Sequence, residues 1–393
     1  MIALFGAGKT TKAIAKKFKD VVFFEDISHT YKDEEGFFHR PSSDYDPTKF
    51  SIAVPSPGIP PSHELIQRAK NLLSEYDLFA ATMPFSIWIS GTNGKTTTTQ
   101  MITHLLKKYG AVSGGNIGTP LAELSQNAPI WVLETSSFTL HYTHIAKPNL
   151  YVLLPITPDH ISWHGSFAKY QAAKLKPLSF LKEGEAAIVP QEFANTPSNG
   201  YLIGYENIYE LAVFFGIVPE KVRFKGAFLL DAVLALAVSK ILFDEIDYAA
   251  INSFTIEEHK QEEFYDKLGR LWVNDSKATN IDATLQAVKN YQDRHIHLIL
   301  GGDNKGVDLE PLIQNLHNVS LYAIGKAAPH ILDLAKKHNI EAIEAKTLSN
   351  AVKLIKKCHT RQSVAILSPA CASLDQFSSY KERGTLFKKE VLS

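Results

Sequence analysis

Residues 87–99 run from Ile87 to Thr99 as IWISGTNGKTTTT: a short apolar run, a glycine turn, then a lysine opening a threonine-rich helix. The start of the chain, MIALFGAGKTTKAIAKKF, has the same grammar. Such a turn binds phosphate because successive backbone N–H groups and a helix N-terminus point at the anion, while lysine and a hydroxyl reach the terminal phosphates. Neither copy has the full GxxxxGK[ST] pattern, since Ala3 and Ile89 stand where its first glycine belongs. Spacing alone does not separate them.

The residues that follow do. Behind the second turn, PIWVLETSSF delivers Glu134 and NLYVLLPITPDHISWH delivers Asp159 and His160, each at the C-terminal end of an expected strand. Open α/β sheets put their ligands there. A carboxylate from Glu134, an imidazole from His160 and the Thr96 hydroxyl make a candidate Mg²⁺ site over a triphosphate. The competing reading, a helix-capping glutamate beside a satisfied loop histidine, is favoured for either residue alone and disfavoured for the pair. Behind the first turn only Glu25 and Asp26 follow, about twenty residues on, where a dinucleotide fold places an acid on a ribose hydroxyl. That suits a nucleoside diphosphate.

Further outward, short β-branched runs alternate with helical patterns, the sequence form of parallel sheets covered by helices. The 393 residues divide into three blocks with boundaries near 85 and 257. Lys plus Arg and Asp plus Glu balance at 41 each, which argues against nucleic acid or an anionic membrane as the main partner. Two cysteines, Cys358 and Cys371, without CxxC spacing point to a reducing compartment. No export signal is read, and AFLLDAVLALAV (227–238) carries Asp231 and falls short of the ~20 residues a bilayer needs. A buried helix, no membrane insertion and a cytoplasmic location are expected.

The third block has three polar turns at strand ends: WVNDSKATNIDAT with Asp275, Lys277 and Thr279; HLILGGDNKGVD with Asp303 and Lys305; and AILSPACASLDQF with Ser368, Ser373 and Asp375. Each alone reads as turn chemistry. Three on one sheet read as a ligand face. A guanine-nucleotide switch is set aside, because Val307 stands where its base-recognising Asp belongs.

SGTNGKTTT, GGNIGTPL, ETSSF, ITPDH with YQAAK, NDSKATN, GGDNKG and LSPACASLDQFSSYKERGTLF together resemble the Mur ligases of peptidoglycan synthesis, across about residues 86 to 387. The resemblance implies an α/β protein of three domains. These are a Rossmann-like N-terminal domain (1–84) for a UDP-sugar, a central P-loop ATPase-type parallel sheet (85–256) and a Rossmann-like C-terminal domain (257–393) for the incoming amino acid. The motifs sit nearest the members that use ATP to join D-glutamate to UDP-N-acetylmuramoyl-L-alanine through an acyl phosphate, and a monomer is expected.

Residue by residue, the resemblance implies ATP on Gly91, Thr92, Asn93, Gly94, Lys95, Thr96 and Thr97, with Lys260 and Asp275 on phosphate and ribose. Two Mg²⁺ ions would be held by Thr96, Glu134, His160 and a carbamylated Lys174, and Lys95, His160 and Lys174 would be catalytic. The UDP-sugar would meet Gly6, Ala7, Gly8, Asp26, Ser56, Gly58, Asn116 and Ser137; D-glutamate would meet Lys277, Thr279, Lys305, Ser373 and Tyr380. Two departures stand out. His259-Lys260 replaces a usual His-Arg, and Leu229 and Ala232 replace two asparagines, one of them expected near adenine. Lysine keeps the charge and loses the planar fork. Rivals are a folylpolyglutamate synthase and an ATP-binding regulator that has lost catalysis.

Overall fold

The computed structural model describes residues 1–393. Runs such as IALF, VVFFE and IWVLE are rich in apolar β-branched and aromatic residues on both faces, which suits strands covered by helices on both sides. They assemble three sheets.

The first sheet holds β1 (Ile2–Phe5), β2 (Val21–Glu25), β3 (Tyr31–Lys32), β4 (Phe38–Pro41) and β5 (Ile52–Pro55), in the order β3-β4-β2-β1-β5. All its pairs are parallel except β3 with β4. The second has β6 (Phe85–Ser90), β7 (Ala111–Gly115), β8 (Ile130–Glu134), β9 (Leu150–Leu153), β10 (Ala186–Pro190) and β11 (Tyr201–Tyr205), ordered β11-β10-β9-β6-β8-β7 and wholly parallel. In both sheets the strand before a Gly-Lys-Thr turn lies between neighbours that leave in opposite directions. A crevice opens at such a switch point.

The third sheet contains β12 (Glu262–Tyr265), β13 (Leu271–Asn274), β14 (Ile296–Gly301), β15 (Val319–Ile324), β16 (Glu341–Lys346) and β17 (Val364–Leu367), in the order β12-β13-β17-β14-β15-β16. Only β12 pairs antiparallel. The chain resolves into two compact units, Met1–Phe254 with the first two sheets and Thr255–Ser393 with the third.

Several strands lie where no strand was expected. β7, AVSGG, ends in two glycines, and β16, EAIEAK, is half charged and mostly exposed at a sheet edge. Neither carries the apolar run that marks a covered strand. The helix Gly226–Phe243 is long and apolar enough to cross a membrane, yet Asp231 to Ser239 are all buried in the protein. It packs on the helix Lys95–Leu106 that follows the second turn. Asp231 is tied there by Thr98 Oγ1 at 2.8 Å, a core contact that a lipid-facing helix would not need.

Candidate active site

The second glycine turn is built for close approach. Gly91 has φ +135 and a methyl there would lie 2.5 Å from Leu154 Cβ; Gly94 has φ +83 and a methyl would lie 2.7 Å from Asp231 Oδ1. Thr92 stitches the turn to the loop after β9: its hydroxyl is 3.0 Å from Thr157 O, 2.9 Å from Thr157 N and 2.9 Å from Tyr170 Oη. Lys95 opens the helix and folds back, donating to Gly91 O at 3.0 Å and Thr92 O at 2.7 Å. Burial lowers the pKa of its amine.

Lys174 reaches the same turn from the helix Phe167–Leu175. It is 1% exposed and donates to Gly91 O at 2.6 Å. Two amines thus converge on one carbonyl. Desolvation first, then the neighbouring Lys95, push the Lys174 pKa well below the ordinary lysine range. Sequence alone would assign this lysine to a solvated helix face.

Glu134 ends β8 at 2% exposure. Its Oε1 accepts from Asn116 Nδ2 at 2.6 Å, while Oε2 is buried with no hydrogen-bond partner. A carboxylate oxygen left in that state fits a cation ligand, and the buried amine of Lys174, its pKa lowered, fits a group that takes up CO₂. His160 stands in a left-handed turn (φ 52), exposed, with its ring 4.7 Å from that of Phe138 and 3.5 Å from Asp159 Oδ2. Thr96 and Thr97 lie in the first turn of the helix. No three His, Cys, Asp or Glu side chains form a ready-made metal cluster. The set expected from sequence, Thr96, Glu134, His160 and Lys174, holds only two side chains of those types.

The first turn is shaped likewise. Gly6 has φ +74, and a methyl on Gly8 would lie 2.6 Å from Ser56 Oγ. The Ala7 N–H, however, already donates to Glu25 Oε1 at 2.9 Å, and Glu25 Oε2 is held by His39 Nδ1 at 2.6 Å. Ala7 shapes the turn without offering a free donor. Asp26 is exposed between Ser42 Oγ at 2.6 Å and His63 Nε2 at 3.1 Å.

Loops of the first two sheets meet. Lys9 Nζ donates to Gly118 O, Trp163 Nε1 to Gly58 O at 3.1 Å, and Tyr142 Oη to Ile59 O at 2.7 Å. Gly8, Ser56 and Gly58 are thereby brought toward the loops that carry Asn116 and Ser137. Ser137 Oγ lies 3.0 Å from Nε2 of His164, a buried histidine whose pKa burial pulls down to about 4. His164, at the end of the short helix Ile161–His164, was not singled out from sequence.

In the second unit the three polar turns do share one sheet edge. Ser368 Oγ donates to Asp275 Oδ2 at 2.7 Å, and Asp303 and Ala372 exchange backbone bonds at 2.9 and 3.0 Å. Asp275 is 5% exposed and burial raises its pKa to about 7, so its carboxyl is engaged within the unit. Lys277 lies 5.9 Å over the Tyr380 ring, Thr279 and Lys305 are exposed, and Ser373 is buried. Lys260 is buried with its amine 2.9 Å from Glu257. The turns are held by Arg383, fully buried without a carboxylate partner. Its guanidinium donates to Ser276 Oγ at 3.0 Å, Ser276 O at 2.9 Å and Cys371 O at 3.2 Å.

A glycine-turn nucleotide loop, two lysines on one carbonyl and an open-sided carboxylate on parallel sheets define a class: enzymes that handle a nucleoside triphosphate beside a second anionic substrate. The Mur ligase middle domain family matches residues 89–197. A UDP-N-acetylmuramoylalanine–D-glutamate ligase of Campylobacter jejuni (strain 81-176) is 54% identical over 99% of both chains. One of Helicobacter pylori (strain HPAG1) is 48% identical over 100% of this chain and 99% of its own. The MurF ligase of Thermotoga maritima, solved in complex with ADP, shares the fold at TM-score 0.61 with 15% identity, covering 94% of this chain and 95% of its own. The chain belongs to the Mur ligases, among their UDP-N-acetylmuramoylalanine–D-glutamate ligases.

Proposed function

We infer that this protein is an ATP-dependent ligase joining D-glutamate to UDP-N-acetylmuramoyl-L-alanine in peptidoglycan precursor synthesis. Identity of 54% over 99% of the chain with a ligase of that name carries the reading. The glycine turn from Gly91 to Thr97 cradles ATP, and Lys95 swings from its two carbonyls onto the terminal phosphates. Gly6, Gly8, Ser56 and Gly58 line the UDP end, with Asp26 toward the nucleoside. Ser137 faces the muramoyl end. Asp275 serves the ribose and Lys260 the phosphates, while Lys277, Thr279, Lys305, Ser373 and Tyr380 receive D-glutamate, whose two carboxylates call for cations and hydroxyl donors.

An oxygen of the alanyl carboxylate attacks the γ-phosphorus and ADP leaves. The D-glutamate amine then attacks the acyl carbon, phosphate departs with the C–O bond pair, and the amine proton is lost. Both first-step reactants are anions, so fixed positive charge must align them. Lys95 supplies part of it. Mg²⁺, when bound, neutralises phosphate charge; Glu134, Thr96, His160 and Lys174 as its carbamate would hold it. Neutral Lys174 is the form that adds CO₂. The protein acts as a monomer in the cytoplasm, where nucleotide-activated precursors are made.

The test is phosphate release from ATP with Mg²⁺ and UDP-N-acetylmuramoyl-L-alanine, with D-glutamate, L-glutamate, D-alanine, meso-diaminopimelate or no amino acid. Release with a new conjugate for D-glutamate alone is expected; silence with every amino acid overturns the reading.

A further inference from the structure

Asn116 carries out a task that the resemblance does not assign to it. It follows β7 in a turn wrapped on the end of β8. Its backbone N–H donates to Glu134 O at 2.9 Å and its side-chain amide to Glu134 Oε1 at 2.6 Å. Tyr76 Oη donates to the same Glu134 carbonyl at 3.1 Å. Gly115 has φ +81, and a methyl there would lie 2.5 Å from both Glu134 O and Tyr76 Oη. The turn can press on Glu134 only because that residue is glycine.

The carboxylate is left asymmetric: one oxygen satisfied, the other buried and unpartnered. A buried carboxylate oxygen left without a partner is costly unless a ligand completes it. We propose that Asn116 is a positioning residue that fixes the Glu134 carboxylate so that Oε2 is presented to the divalent cation accompanying ATP. The proposal rests on the reading of Glu134 as a cation ligand. It adds to the expectation that Asn116 meets the UDP-sugar.

The experiment is Mn²⁺ binding to the full chain in the presence of a non-hydrolysable ATP analogue, followed by electron paramagnetic resonance, together with KM for UDP-N-acetylmuramoyl-L-alanine. Asn116→Ala is expected to weaken Mn²⁺ by about 10- to 100-fold, the scale on which outer-shell partners of metal ligands act. Affinity for the analogue without metal stays unchanged. Asn116 is not in the left-handed region, so the substitution leaves the turn unstrained, and Asn116→Ser, which restores a donor, is expected to fall between. Unchanged Mn²⁺ affinity in both variants, with a raised KM for the UDP-sugar, overturns the proposal. A Glu134→Gln control separates the two readings: if it binds Mn²⁺ as wild type does, Glu134 is no cation ligand and the underlying assignment fails first.

Discussion

At the residue scale the proposed chemistry turns on Lys174. Its place in YQAAK marks it only by resemblance, because an amphipathic helix also carries solvated lysines. Burial and the facing Lys95 lower the pKa of its amine, and that follows only from three dimensions. With ¹³CO₂, the wild type is expected to show a carbamate carbon signal that Lys174→Arg lacks. The variant should lose at least ~100-fold in kcat, the scale of removing one preorganised charge-stabilising group. A wild-type spectrum without that signal, or a fully active arginine variant, removes the carbamate. The partners of His164 and Asp231 were illegible for a related reason. A lone histidine and one acid in an apolar helix have no local signature, and their partners Ser137 and Thr98 lie 27 and 133 residues away.

At the element scale, the parallel sheets and both glycine turns were readable, since a buried strand needs a continuous apolar run and a tight turn needs glycine. The edge strands β7 and β16 were not, because half-exposed or glycine-rich strands lack that run. Arg383 shows what element packing adds. In YKERGTLF it reads as one helix charge among several; in the fold it leaves the helix Tyr380–Leu392 to clasp the turns after β13 and β17. Arg383→Met should leave buried carbonyls of Ser276 and Cys371 unpaired, costing about 3 kcal/mol. Urea unfolding would read that loss, and the KM for D-glutamate should rise with it. A variant of wild-type stability would mean that the turns hold themselves.

At the scale of the whole molecule, folding is linked to protons. Burial lowers the pKa of His297 to about 4, as it does for His164 and His359. Unfolded histidine titrates near 6.5. Between about pH 6.5 and 4 the unfolded chain therefore binds more protons at these sites, so their contribution to stability is present above 6.5 and lost on acidification. Relative to wild type, His297→Phe should lose less melting temperature between pH 6.5 and 4.5. Glu75 has the opposite sign. Burial raises its pKa to about 8, so the folded state binds the extra proton and this contribution falls as pH rises from about 4.5 to 8. Glu75→Gln should gain on wild type across that range; parallel melting curves for both variants would refute the linkage. What residues 1–393 settle on their own is the run of local decisions: where strands and glycine turns fall, that the sheets are parallel, and which lysines stand at helix starts. Those follow from periodicity and backbone freedom within a few residues. The tertiary structure alone decided that Glu25 occupies the Ala7 N–H, that Asn116 grips Glu134 and that two amines share Gly91 O. Such pairings depend on burial and on partners brought from distant strands, which no local pattern encodes.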